Sequence, residues 1–278
     1  MDLTSKIKKA LELLEKFNKW NHKYVFFSGG KDSLVCLDLA SKAWDNFTVI
    51  YCEVTGNTHP ICTKYVKKVV NEYNVNLVHI KQEKYEFFDR LEKWGYPPIL
   101  NGYTLRWCLN HFKCRPIANF TKGQGVGVAG IKPSDSTRRF YILNGKFLPA
   151  VVDPSPRSTR WAYYSIKPLY WFTKEDVWRY ISMNNLEINP LYEYIGFSGN
   201  CMICPGMNKN KFVAVMEKCP EFFNKWVKVH KKLREAYLKS KSKSINNAFI
   251  KFDKWYNIYC KNKKLIDYEV VAYGERCN

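Results

Sequence analysis

Apolar positions along the chain fall into short runs that alternate with longer amphipathic stretches. The runs at 24–27, 48–54 ("TVIYCEV"), 75–80 ("VNLVHI") and 125–131 ("GVGVAGI") are each seven residues or fewer. Their length and their Val, Ile and aromatic content predict strands. Stretches 33–43, 61–73 and 85–94 repeat apolar residues every three or four positions, which predicts helices between those strands. Residues 3–19 do the same, with lysines and glutamates between the apolar positions, and predict an amphipathic helix ahead of the first strand. Strands alternating with helices predict an α/β fold with a parallel sheet covered on both faces. Ligands of such sheets bind beyond the carboxyl ends of the strands.

The pattern then changes. Residues 133–168 are irregular and rich in Ser, Pro and Arg, and "PSDSTRR" (133–139) and "DPSPRSTRW" (153–161) read as active-site loops. Thr173 predicts a helix N-cap, with Asp176 three residues on and Val177, Tyr180 and Ile181 supplying the apolar face. Past the "CMIC" turn at 201–204, residues 209–240 and 245–260 read as basic helices. The predicted organisation is an α/β domain over 1–185 followed by a small helical domain over 186–278.

Composition narrows the class. The apolar fraction of 46% is enough for a sizeable core. No apolar run approaches the ~20 residues of a membrane helix. The N-terminal stretch lacks the apolar segment of a signal peptide, so a cytoplasmic protein with no membrane partner is expected. The formal net charge is +20, and residues 201–264 hold 16 Lys/Arg against 4 Asp/Glu. Such an excess predicts a polyanionic partner, nucleic acid first, with a merely solvating face as the bland alternative. Ten cysteines in a cytosolic chain point to metal or redox chemistry rather than to disulfides. Cys36, Cys62 and Cys260 lie among helix-patterned apolar residues and read as packing residues.

The first candidate site is "SGGKDS" at 28–33, between the first strand and the following helix. Backbone N–H groups of a glycine-rich turn at a helix N-terminus can surround phosphate oxygens. Gly29 and Gly30 can take conformations a Cβ forbids, Lys31 brings a mobile charge, Asp32 can hold Mg²⁺, and Ser33 can cap the helix or touch phosphate. The spacing of a Walker A loop is absent. The second candidate is a set of cysteines: Cys201 and Cys204 as C-x-x-C, and Cys108 and Cys114 in "RWCLNHFKCRPI" (106–117), each beside Lys or Arg. Those cations favour thiolates. Two cluster ligands, half a zinc site and a redox dithiol all remain open for C-x-x-C on its own.

"SGGKDS" resembles the PP-loop of the ATP pyrophosphatase superfamily, whose members cut ATP between the α and β phosphates. The "RWC" segment with its later lysine and proline is similar to the phosphoadenosine phosphosulfate (PAPS) reductase family, as is "NPLY…GF…CxxCP" between 189 and 205. "GIKPSDSTRR" (130–139) and "SIKPLYWFTKEDVW" (165–178) extend the likeness in the same order. The chain is therefore identified as a member of that family, of its iron–sulfur cysteine-motif type. The resemblance implies a Rossmann-like sheet of the adenine nucleotide alpha-hydrolase kind. It implies that Ser28, Gly29, Gly30, Lys31, Asp32 and Ser33 bind phosphates, with Lys31 opposing developing charge and Asp32 positioning Mg²⁺. Thr55, Gly56 and Asn57 fall where relatives contact nucleotide, and Gly130 where the chain can approach adenosine closely. Arg106, Arg138 and Arg139 are cationic candidates for phosphate or substrate. For the metal, the resemblance implies a [4Fe–4S] cluster on Cys108, Cys201 and Cys204, with Cys114, Cys219 or no protein ligand as the fourth, and zinc as the alternative.

Two family reactions are weighed. One adenylates an acceptor, a tRNA base or a DNA backbone phosphate, with ATP and then installs sulfur. The other reduces a sulfonucleotide and releases sulfite. A nucleic-acid-binding module with a regulatory nucleotide site is the third reading. The intact Lys31–Asp32 pair favours the first, because reductases accept a nucleotide with no β or γ phosphate and carry a degenerate loop. The chain also ends in "AYGERCN", where Cys277 lacks the Gly and His of the reductases' nucleophile segment. The sulfur donor is unassigned, and a homodimer is a further expectation.

Overall fold

The element order follows the predicted alternation. In the computed structural model, which describes residues 1–97, 106–136, 139–140, 143, 150–152, 162, 164–240 and 247–261, helix α1 (Leu3–Glu15) precedes β1 (Lys23–Phe26). Then come α2 (Lys31–Ala43), β2 (Thr48–Glu53), α3 (Pro60–Glu72), β3 (Asn76–Lys81) and α4 (Phe87–Trp94). Helix α1 is shorter than the amphipathic pattern, ending at Glu15 rather than 19. Its start is fixed by Asp2, whose carboxylate accepts the Ser5 N–H at 2.8 Å.

Next comes α5, a continuous helical segment built of Trp107–Leu109, a wide π turn at Asn110–Cys114, and Arg115–Thr121. Pro116 explains the wide turn: it has no N–H to offer the carbonyl four residues back, and its ring crowds that carbonyl. The Arg115 N–H instead reaches the carbonyl of Asn110, five residues back. Strand β4 (Val126–Val128) follows, then β5 (Val151–Val152) and β6 (Tyr164–Ile166).

The sheet order is β3-β2-β1-β4-β6-β5. All neighbours are parallel except β5, which runs antiparallel to β6 as an edge. Strands β5 and β6 lie where the sequence pattern was irregular. Two- and three-residue strands are too short to express an alternation.

Helix α2 is buried along most of its length, including Leu34, Val35, Cys36, Leu37, Leu39 and Ala40. It is apolar on more than one face because it lies between the sheet and two other helices, α1 and α6 (Lys174–Met183). Leu34, Val35, Leu37 and Leu39 each contribute about 1.5–3 kcal/mol by leaving water. Asp38, a carboxylate buried on α2, is fully satisfied: Lys42 at 2.8 Å, Tyr73 at 2.8 Å and Tyr180 at 2.6 Å all donate to it. Helix α6 starts as its pattern predicted. Thr173 Oγ1 accepts the Asp176 N–H, and Asp176 accepts the Thr173 N–H at 2.8 Å.

After α7 (Leu191–Ile195), the predicted 209–240 helix is two helices, α8 (Lys209–Lys218) and α9 (Pro220–Ser240), broken at Cys219–Pro220. Helix α10 (Asn247–Tyr256) closes the described chain, extended by a wide turn at Asn257–Lys261. Helices α8 to α10 share an aromatic core in which Trp226, Phe212 and Phe252 are wholly buried and Trp255 nearly so. The tryptophans of the basic helices are therefore packing residues. Among the described residues, no helix is long and apolar enough to cross a membrane.

One buried cation gives a stability test. Lys167, just after β6, is sealed from water, and that burial lowers its pKa to about 7 against the partial support of Cys36. Between pH 7 and its ordinary value of about 10.4 the unfolded chain binds the proton more readily than the folded one, so stability rises with pH across that window. Lys167→Met is expected to flatten this rise, removing up to about 4 kcal/mol of pH dependence. Denaturant midpoints of both proteins at pH 7 and pH 9.5 check it.

Candidate active site

Strand β1 ends at Phe26 and helix α2 begins at Lys31, so "SGGKDS" is the turn at a carboxyl strand end. Gly29 sits at φ +72°, and a Cβ there would meet Cys62 Sγ at 2.9 Å and Val66 at 3.1 Å. A side chain at this position would be strained twice over. Ser33 Oγ accepts the Ser28 N–H at 3.2 Å and donates to the Gly30 carbonyl at 2.8 Å, which curls the turn on itself. The "NPLY" segment holds it from behind: Asn189 Nδ2 donates to the Gly29 carbonyl at 3.0 Å, and the Lys31 N–H donates to Tyr192 OH at 3.0 Å.

Two carboxylates and three cations converge at the mouth of this turn. Asp32 accepts from Lys31 Nζ at 2.8 Å and from Lys132 Nζ at 2.5 Å. Lys132 also donates to Asp135 at 2.6 Å, and Asp135 pairs in turn with Arg139. Burial works against the charge of Lys132, but Asp135 and Asp32 outweigh it and hold its pKa above the ordinary lysine value. Gly130 touches the backbone of the loop itself: a Cβ would lie 2.9 Å from the Asp32 carbonyl group. Its bareness lets β4 press against the phosphate turn.

In front lies a cavity of about 450 Å³. Its apolar wall is Ile50, Cys52 and Ile117, its opposite wall is Ser28, Gly30, Asp32 and Ser33, and Arg106, Lys113 and Arg139 bring charge to it. Arg138 lies outside the described residues, as do Trp161 and Cys277. Thr55, Gly56 and Asn57 are not among the residues that line this cavity. They shape a turn instead. Thr55 Oγ1 donates to the Gln82 carbonyl at 2.8 Å, and Gly56, at φ +77°, leaves room for Glu86. Asn57 grips the cysteine loop with both ends of its amide, to the Ile203 carbonyl at 3.0 Å and from the Ile203 N–H at 2.9 Å. Glu53 is turned away, paired with His79 at 2.9 Å.

A second cavity, of about 130 Å³, is lined by Cys108, Cys201 and Cys204 together with Arg106 and Lys113. It shares Arg106, Leu109 and Lys113 with the cavity in front of the glycine turn, so one wall separates the two. The π turn of α5 accounts for the wall. Residues five apart diverge by about 140° on an α-helix; the wide turn that begins at Asn110 unwinds part of that span, and Cys108 and Lys113 both line this cavity. Burial pushes the Cys108 thiol up to about 12, the neighbouring Cys201 and Cys204 adding to it and Arg106 opposing. Cys201 is raised by burial too, against Lys113 and Arg106. For Lys113, burial alone would lower the pKa, but the surrounding thiols raise it above the ordinary value. Three half-buried thiols line a cationic pocket, a donor set that a thiophilic metal could use, and a bound metal would supply the charge that deprotonates them.

Cys114 is not among the residues lining this cavity; it is buried and acts electrostatically on Cys52. Cys219 sits with His59 and Glu221. Lys113, Lys132, Asn189 and Tyr192 are site-building residues that the sequence reading left unassigned. The available signals were the fixed distance of Lys113 from Cys108 and the placement of Lys132 just past β4.

Comparison with known proteins bears on the whole site. The family model described as "Phosphoadenosine phosphosulfate reductase domain" matches residues 22–207. An uncharacterized protein of Methanocaldococcus jannaschii is 32% identical over 233 residues, 81% of this chain and 53% of that protein. The chain thus spans about half the length of that relative. An adenosine 5'-phosphosulfate reductase of Lysinibacillus sphaericus is 25% identical over 206 residues, 70% of this chain and 79% of the relative. Among solved structures, a phosphoadenylyl-sulfate reductase of Candida auris aligns with TM-score 0.48 at 20% identity, over 69% of this chain and 89% of its own.

Proposed function

Because the chain belongs to the phosphoadenosine phosphosulfate reductase domain family, we propose that it works on an adenine nucleotide, and that its reaction is ATP-dependent sulfur transfer rather than the reduction that gives the family its name. One observation carries this reading: the ammonium groups of Lys31 and Lys132 meet across Asp32 at the phosphate turn. Two cations held there match a leaving pyrophosphate. A sulfonucleotide, which has no β or γ phosphate, offers them one sulfate charge and no leaving pyrophosphate.

In this reaction an acceptor oxygen attacks the α phosphorus of ATP. The bond from that phosphorus to the bridging oxygen breaks, and pyrophosphate departs with the electron pair. Lys31 and Lys132 neutralise the charge that grows on the departing oxygens. Asp32 orients both lysines. The carboxylates lining the cavity, Asp32 and Asp135, are each already paired with Lys132. Asp32 and Asp135 would hold Mg²⁺ brought by ATP, where it would help neutralise the phosphate charge once Lys132 turns to phosphate.

The three-thiol cavity fits a [4Fe–4S] cluster held by Cys108, Cys201 and Cys204, which when bound supplies an iron with an open position for sulfur. Lys113 and Arg106 line both cavities and hold positive charge between them. They oppose the negative charge that develops as sulfide-level sulfur bonds to the activated atom and AMP leaves.

The acceptor is a nucleic acid, a tRNA base or a DNA backbone phosphate, drawn by the basic helices. A rim beside the thiol cavity supports this. The Arg90 guanidinium lies 3.6 Å from the Tyr85 ring centre and 4.4 Å from that of Trp94. Trp94 is 41% exposed, and Arg90 Nε is buried without a hydrogen-bond partner. An exposed indole beside an arginine is a stacking surface for a base.

Sulfonucleotide reduction is the second reading, favoured by the name of the Lysinibacillus sphaericus relative and by the shared wall between nucleotide and thiol cavities. Mass spectrometry of nucleosides and nuclease-digested DNA from cells lacking the protein tests the acceptor. One thiolated species is expected to vanish and to return with the wild-type chain. Unchanged thiolation together with a requirement for reduced sulfur in the medium would contradict sulfur transfer.

A further inference from the structure

Outside the two cavities, one cluster of metal-binding side chains has no role in the reaction above. One ligand atom from each of His59, Cys219 and Glu221 lies within 4.8 Å of the others. The three come from two distant parts of the chain. His59 is the N-cap of α3, and its Nδ1 accepts the Ile61 N–H at 3.2 Å. Its own N–H donates to the Gly199 carbonyl at 2.8 Å, which ties its backbone to the loop leading into Cys201. Cys219 is the break between α8 and α9, where Pro220 forces the new helix to start, and Glu221 lies in the first turn of α9. The imidazole lies at 29° to the ring of Phe222, with centres 5.8 Å apart, which fixes its plane.

Among the described residues, no hydrogen bond or ion pair engages the Cys219 thiol, the Glu221 carboxylate or Nε2 of His59. That is notable for Glu221, a carboxylate in a chain with 45 Lys/Arg. A thiol and a carboxylate with no partner among the described residues therefore converge on an imidazole that keeps one nitrogen free. The thiol is buried and the carboxylate exposed, so a small ion has a way in, while a larger substrate has no access to the sulfur.

We propose that His59, Cys219 and Glu221 bind one zinc ion, separate from the Cys108–Cys201–Cys204 cavity, that fastens the α8–α9 junction to the start of α3. Zinc is the fitting ion because it accepts thiolate, imidazole and carboxylate together, and three protein ligands leave a fourth position for water on the solvent side. Thiolate and carboxylate together balance its charge. The bound ion stiffens the turn 55–59 and, through Asn57 and Gly199, the loop carrying Cys201 and Cys204.

The test uses anaerobically purified full-length protein, titrated with Zn²⁺ and examined by zinc K-edge X-ray absorption and metal analysis. One zinc per chain is expected, with a single sulfur at about 2.3 Å and nitrogen or oxygen at about 2.0–2.2 Å. Glu221→Gln, an exposed and fold-neutral change, should weaken zinc binding at least about tenfold. Cys219→Ser should remove the sulfur contribution, and both variants should keep the iron content of the wild type. A zinc shell of three or four sulfurs, no stoichiometric zinc, or unchanged affinity in Glu221→Gln would overturn the site. Iron content and pyrophosphate release are independent of these readouts, so failure here is distinguishable from failure of the sulfur-transfer reading.

Discussion

Lys31→Ala is expected to slow pyrophosphate release from ATP by about 10²–10³-fold, the usual loss when one preorganised charge aimed at a leaving group is removed. The rate at saturating ATP should carry most of the loss, because the ammonium is needed most when the bridging bond has broken. Asp32 keeps its other partner, Lys132 at 2.5 Å, so the turn retains its shape in the variant. Asn189 and Tyr192 hold the loop from the far side through backbone groups that the substitution leaves in place. A coupled pyrophosphate assay over a range of ATP concentrations reads the split between rate and affinity. A change of only a few fold would mean that no β or γ phosphate occupies this end of the cavity, which is the reductase expectation.

Cys201→Ser is expected to bring the iron content from about four per chain to near zero and to abolish acceptor thiolation. Pyrophosphate release should survive within several fold, because the wall of Arg106, Leu109 and Lys113 separates the thiols from the phosphate turn. Cys114→Ser should keep its iron, since Cys114 lies away from the thiol cavity. Iron analysis with the two assays run on the same preparation measures all three. Loss of iron in Cys114→Ser would make Cys114 a ligand and call for a rearrangement of α5.

The alternation of strands and helices was legible because β1, β2 and β3 are apolar runs of ordinary length and their helices bury one continuous face. Strands β5 and β6 were not, since two or three residues at a sheet edge carry no period. The break at Cys219–Pro220 was signalled by the proline but outweighed by the helical spacing on both sides. At the site, the glycine turn was readable because Gly29 meets a local backbone demand, φ +72°, that a sequence can advertise. Asn57 was assigned to nucleotide by its position after β2, yet it serves the loop at Ile203, 146 residues away, and no local pattern encodes that contact. Lys113 lies on the turn that Pro116 widens, and its place beside the thiols follows from packing geometry rather than from spacing. The trio of His59, Cys219 and Glu221 is assembled across 160 residues and was equally out of reach.

The central claim is that this cavity cleaves ATP between its α and β phosphates. The most direct measurement incubates anaerobically purified protein with total tRNA or DNA and, in parallel reactions, with ATP·Mg²⁺ or with adenosine 5'-phosphosulfate plus a dithiol reductant, and quantifies pyrophosphate and sulfite. The account predicts acceptor-dependent pyrophosphate and AMP from ATP, with no sulfite. Sulfite from the sulfonucleotide, with no pyrophosphate from ATP, would contradict it.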